Sequence, residues 1–152
     1  EEQFEARGVP IAHPAFSFLA LVQALSLIAL YQETGREKKQ TIRKVRCFTR
    51  LLHKRALQNL TYCSGKLFLL QGELAKLQGQ HRLAEFHFVS AIKCATKMDA
   101  ALFHERFGRF LLPAWADEAH IQFDNAKQAY SDWGAAAKVR HLEKEKERLF
   151  VR

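Results

Sequence analysis

The sequence predicts an all-α protein: about seven helices arranged as antiparallel hairpins in a short right-handed solenoid. Three observations lead there. Glycine and proline are scarce, with 7 and 3 in 152 residues, which leaves long stretches free to be helical. Apolar residues recur every three or four positions along most of the chain. The trio Ala84, Phe88 and Ala91 returns 35 residues later as Ala119, Phe123 and Ala126, and Gly72 returns 36 residues later as Gly108. A period of that size marks helical pairs stacked on one another, and roughly three or more such units are needed for a stable array. With 48% apolar content the chain can build the core of one domain, residues 1–152, and no Gly/Ser linker divides it.

Residues 1–13 read as the tail of an upstream element, because Val9-Pro10 and His13-Pro14 hold the chain extended. The first residue is Glu1, not Met, so the chain reads as a piece of a longer protein or a processed product. Residues 14–58 form a loose first hairpin. Its first helix is expected over 14–34, with Pro14 in the first turn, where a missing N–H costs nothing, and Gly35 at the end. The run from Pro14 to Tyr31 is apolar enough to raise a membrane question. It sits near the lower limit of about 18 residues for a span, is interrupted by Ser17, Gln23 and Ser26, and lacks the flanks of a signal peptide. The expectation is a helix buried on most sides in a protein that does not span a membrane.

The second helix is expected over 37–58, with Ile42, Val45, Phe48, Leu52 and Ala56 inward. Arg36, Lys39, Arg43, Arg46, Arg50 and Lys54 repeat on the same spacing and fall on an adjacent face, within about a quarter-turn. Residues 36–55 carry nine Lys or Arg and one Glu, a net +8 that equals the charge of the whole chain. Like charges at this spacing repel by a few tenths of a kcal/mol per pair.

Residues 59–97 make the second hairpin, with a tight turn at Gly79. Phe68, Leu69, Gly72, Ala75 and Leu77 face inward from its first helix, and Leu83, Ala84, Phe88, Ala91 and Ile92 from its second. Gly72 and Ala84 are small where the two helices approach. Residues 98–133 make the third hairpin. Asp99 is the expected N-cap of a helix over 100–112, whose Phe103, Phe107, Phe110 and Leu111 point inward before Pro113 breaks it. The next helix, 116–133, carries Ala119, Phe123, Ala126 and Tyr130. Helical spacing assigns the late aromatics, Trp133 included, to the core, and leaves Trp115 partly exposed. Gly134 ends that helix. Residues 134–152 form a capping helix that begins on the last repeat and continues outward, with Glu143–Lys146 and Glu145–Arg148 as weak internal pairs.

Gly72, Gly79, Ala84, Phe88 and Ala91 resemble the signature of a tetratricopeptide repeat: a small residue in the first helix, a turn glycine, then Ala, an aromatic and Ala in the second. A narrower likeness runs from Gly72-Glu-Leu-Ala-Lys-Leu-Gln-Gly79 through Ala101-Leu-Phe-His-Glu105. It ends in Tyr-x-x-Trp-Gly-Ala-x-x-Lys-Val-x-x-Leu, here Tyr130, Trp133, Gly134, Ala135, Lys138, Val139 and Leu142. Residues 66–142 are similar to the helical segment of large multi-sensor signalling kinases, which follows a protein-kinase-like domain and an AAA-type ATPase module and precedes a GAF sensor and a histidine kinase or cyclase. Residues 14–60 match more loosely. The chain departs from that pattern at Gly72 and Gly65, and its basic stripe is not part of it. The resemblance implies an interaction or relay module with no catalytic residues of its own.

The residues themselves point the same way. Seven histidines, at 13, 53, 81, 87, 104, 120 and 141, form no His-Glu-x-x-His and no ligand spacing with cysteine. Cys47, Cys63 and Cys94 form no Cys-x-x-Cys pair, which favours a reducing, cytoplasmic setting and core or near-core thiols. There is no Gly-rich phosphate loop and no nucleophile elbow. No catalytic, cofactor or metal residue is expected, and no small-molecule substrate. Glu73 and Glu105 lie in apolar helix stretches and read as members of structural ion pairs. The basic stripe is the strong surface signal. It reads either as the solvated outer face of its helix or as the seat of an anionic partner: an acidic protein face, nucleic acid or a lipid surface. Nucleic acid would be held through phosphates, since no aromatic platform for bases accompanies the stripe. The partners expected are therefore a protein or neighbouring domains of the same chain, or, for a free-standing adaptor, an acidic surface.

Overall fold

The structure, a computed structural model, describes residues 14–58 and 61–150. The tail assigned to residues 1–13 and the last two residues of the capping helix lie outside them. Among the described residues there are seven helices and no strand: α1 (Pro14–Thr34), α2 (Lys38–Ala56), α3 (Thr61–Leu77), α4 (His81–Lys93), α5 (Lys97–Leu111), α6 (Ala116–Asp132) and α7 (Ala136–Phe150). The all-α class is as expected.

Local chemistry sets the ends. After α1, α3 and α6 come Gly35, Gly79 and Gly134, each with positive φ (64°, 74° and 73°), a region that costs glycine nothing. Glu37 also takes a left-handed conformation, φ 61°, so α2 begins one residue later than the spacing implied. The start of α5 differs more. Thr96, not Asp99, is its N-cap, accepting from the Asp99 N–H, so the helix begins three residues early. The Asp99 carboxylate in turn accepts from Thr96 Oγ1 and from Lys66 Nζ, both at 2.8 Å. The Thr96 hydroxyl satisfies one helix-end donor, the Asp99 N–H, while the Asp99 carboxylate is taken by Lys66 and by that hydroxyl instead of capping the helix.

Each helix packs on its chain neighbour; in addition α3 packs on α1 and α5. The larger core cluster runs through α1 to α6, and a smaller one, Ala101, Phe123, Ala126, Tyr130 and Leu142, lies beneath α7. One contact occurs twice. A Cβ on Gly72 would stand 3.2 Å from the Phe88 ring, and a Cβ on Gly108 would stand 3.2 Å from the Phe123 ring. Ala84, Ala91, Ala119 and Ala126 are fully buried beside these phenylalanines. Ala84→Leu is therefore expected to overpack the α3–α4 crossing and cost about 1–3 kcal/mol; an unchanged melting temperature would remove the register assigned to this pair.

Several expectations are corrected. α1 is not buried on most sides. Phe16, Ala20, Leu21, Ala24 and Ile28 are buried, but Phe18 (51% exposed), Val22 (40%) and Leu30 (58%) face out. Among the described residues only α2 and α3 pack on α1, and a helix that is apolar all round needs neighbours all round to hide it. Leu83 is exposed because it sits in the first turn of α4. Trp133 is half exposed beyond the end of α6, edge-on to Tyr130. Cys47 and Cys94 are exposed, and Cys63 alone of the three is buried. Finally, α7 does not run outward. Glu145 reaches Arg109 of α5, Lys146 reaches Asp124 and Glu143 reaches Lys127 of α6, replacing the expected pairs within the helix. Phe150 closes the contact edge-on to Phe123 and His120.

Candidate functional site

α2 presents the most strongly charged surface. Thr41, Val45 and Leu52 are its buried residues, and Ile42, Phe48 and Ala56 pack against the same core. At 100° per residue, Lys39, Arg43, Arg46, Arg50 and Lys54 lie about half a turn from Val45 and Leu52, so the stripe crests the helix rather than lying beside its apolar face; Arg36 precedes the helix, ahead of the left-handed Glu37. All six are exposed. No acid occurs from Lys38 to Gln58. Among the described residues, ion pairs tie Lys66, Arg106, Arg109, Lys127, Lys138 and Lys146 to acids, but none reaches Arg43, Arg46 or Arg50. Arg55, off the stripe, turns inward over the Phe16 ring. From Lys39 to Lys54 the ridge extends about 22 Å at 1.5 Å per residue. Because α2, among the described residues, packs only on α1 and α3, its outer half stands clear of them.

Sequence reasoning missed a second surface. α1 and α5 both pack on α3 but not on each other, and a groove of about 440 Å³ opens between them. Phe18, Val22, Leu25 and Ala29 form one wall, Met98 and Leu102 the other, with Tyr130 and Trp133 at its edge. The signal for it was present in α1, which carries one more apolar face than an end helix can bury.

The charged groups lining this groove are already paired within the chain. The Glu105 carboxylate, 4% exposed, accepts from Tyr130 Oη at 2.8 Å, Arg109 Nη2 at 2.9 Å and Lys138 Nζ at 3.0 Å. Burial pushes this carboxyl up, but the hydrogen bonds and charges of Arg109 and Lys138 outweigh it and hold it below the ordinary value. Burial, reinforced by the Glu105 charge, pushes the Tyr130 phenol strongly up. Arg106 Nε donates to Glu73 Oε1 at 2.5 Å, and Lys66 donates to Asp99. Glu73 Oε2, Gln71 Oε1 and His87 Nδ1 are buried with no hydrogen-bond partner among the described residues. His104 Nδ1 lies 2.7 Å from Gln122 Oε1. These contacts join α3, α5, α6 and α7, and Glu73 and Glu105 hold the structural pairs expected of them.

The predicted packing residues divide by role. Gly72, Ala84, Phe88, Ala91, Gly108, Ala119, Phe123, Ala126 and Tyr130 come together in the core, whereas Gly79, Trp133 and Gly134 sit at exposed helix ends. Among the described residues no group of three or more His, Cys, Asp or Glu is placed to hold a metal ion. One helix, Ala15–Thr34, is long and apolar enough to cross a membrane by length and composition. Comparison with protein-family models, curated proteins and solved structures found no match to this chain.

Proposed function

We propose that the chain is a non-enzymatic protein-interaction and signal-relay scaffold, a segment of a multidomain cytoplasmic signalling protein of the multi-sensor kinase kind. Its helices form tetratricopeptide-like antiparallel hairpins in a right-handed solenoid, with α7 as the cap. The observation that carries this reading is the glycine-on-phenylalanine crossing made once by Gly72 and Phe88 and again by Gly108 and Phe123. A unit used twice builds an array whose first helices leave one face open, and the apolar groove beside α1 lies on such a face. A neighbouring domain of the same chain rests there and passes its movement along the array.

Two measurements test this. The complete coding sequence is expected to place an ATPase module before residue 1 and a sensor domain after residue 152. A reading frame that closes soon after Arg152 overturns the relay. In the longer chain, amide exchange across residues 18–30 is expected to slow relative to the 152-residue piece; unchanged exchange empties the groove of its occupant. The purified piece is also expected to turn over no ATP, because it lacks the parts that cradle nucleotide phosphates. Saturable ATP hydrolysis by this chain would sink the scaffold reading.

The exposed ridge of α2 favours a second reading, a free-standing adaptor whose basic helix binds an acidic protein, nucleic acid or an anionic membrane surface.

A further inference from the structure

We infer that the basic ridge of α2 binds the phosphate backbone of a nucleic-acid duplex without reading its sequence. The inference rests on the adaptor reading of α2 and is independent of the relay. It follows from comparing what each anionic partner would need with what the ridge offers.

An acidic protein face would need an apolar centre, since interface cores are depleted of charge and exposed ion pairs contribute little one by one. Between Lys39 and Lys54 the crest carries no exposed apolar side chain except Cys47, and the exposed Leu57 follows only at its C-terminal end, not at its centre. A membrane-surface helix puts its apolar face into the lipid, but the apolar face of α2 is packed on α1 and α3. A duplex needs neither. Each phosphate neutralised releases condensed counterions, and that gain requires only cations in line. The ridge supplies five in single file, three of them arginine, whose planar fork matches phosphate oxygens, with Arg36 just before the helix. Lys38 and Lys44 are exposed on either flank and widen the positive field. Over about 22 Å a B-form duplex presents roughly thirteen phosphates, more than enough to meet the five helical cations.

The same geometry predicts a lack of sequence readout. α2 is half sunk between its neighbours, so it stands proud by about half of its 10–12 Å diameter. That falls short of the roughly 8.5 Å depth of a major groove, and the side chains meet phosphates rather than base edges.

The test is anisotropy of a labelled 20-base-pair DNA duplex titrated with the whole 152-residue chain between 50 and 200 mM salt. The expected slope of log affinity against log salt is about −5, a loss of about a thousandfold over that range. Arg43→Gln, Arg46→Gln and Arg50→Gln together are expected to make the slope shallower by about 3 and weaken binding at 50 mM salt by at least about tenfold. Because these side chains are exposed and mutually repelling, the triple variant should melt at or slightly above the wild-type temperature. Arg140→Gln with Lys144→Gln, on the exposed face of α7, should bind like wild type, and a scrambled duplex should bind as well as the first. Absence of binding at 50 mM salt, a slope untouched by the triple variant, or a strong preference for one duplex sequence overturns the inference. So does tighter binding to phosphatidylserine vesicles or to polyglutamate than to the duplex at equal charge, an outcome that leaves the adaptor reading standing with a different partner.

Discussion

Replacing Glu105 with alanine should lower stability by about 3 kcal/mol and the melting temperature by roughly 6–12 °C. The carboxylate is buried and accepts from three groups, Tyr130, Arg109 and Lys138. Removing it leaves the Tyr130 hydroxyl buried without an acceptor and leaves two cations facing each other. Arg109 keeps Glu145, and Lys138 is about a third exposed, so both retain some relief. That places the cost at the lower end of the range for breaking a buried pair. Glu105→Gln, which can still accept from Tyr130, should cost less. The pH dependence has a definite sign. The folded carboxyl titrates below its ordinary value near 4.5, so its contribution is fully present above that value and is lost as pH falls through the lower folded one. Wild type should therefore lose stability below about pH 4.5 more steeply than Glu105→Ala. Melts of both proteins between pH 3 and 7 check this, and parallel curves would remove Glu105 from the acid response.

Gly65→Leu is expected to cost about 3 kcal/mol, near the top of the usual range for overpacking. A Cβ at Gly65 would stand 2.9 Å from the Cys94 carbonyl oxygen and 2.9 Å from the Phe103 ring. The carbonyl belongs to the residue after α4 and cannot swing aside as a side-chain tip would. Even Gly65→Ala, which in an open helix gains up to about 1 kcal/mol from propensity, should be destabilising here. Gly72→Ala is the comparison. Its Cβ would stand nearest the Phe88 ring, at 3.2 Å, a side chain that can shift by a few tenths of an ångström. There the propensity gain and the crowding should nearly cancel. Urea melts of the three variants test the ranking; a Gly65→Ala protein more stable than wild type would show that the α3–α5 approach is looser than described.

Much of this architecture was legible one helix at a time. Pro14 opens α1, and Gly35, Gly79 and Gly134 close three helices, because backbone preference at these positions depends on the residue itself. Ala84, Phe88 and Ala91, with their repeats at Ala119, Phe123 and Ala126, declared their buried faces through spacing alone. The ridge of α2 was legible for the same reason: six cations three or four residues apart must share a side of any helix. Spacing also gave Val45 and Leu52 as the packed side.

The rest depended on what each face met, and spacing within a helix carries no such information. α1 has no weak face, so only the packing of α2 and α3 decided that Phe18, Val22 and Leu30 would stay open and border a groove. Asp99 looked like a cap, but Lys66, 33 residues earlier, drew its carboxylate inward. α7 looked like an outward extension, yet Arg109, 36 residues before Glu145, helps fold it back over the smaller core. Gly65 looked like an idle departure from a pattern until the Cys94 carbonyl was placed against it. Local periodicity, set by covalent geometry and side-chain size, determines which residues share a face. Which faces are covered, and which buried charges find a counterion, is decided by contacts between helices far apart in the chain, and those exist only once the chain has packed.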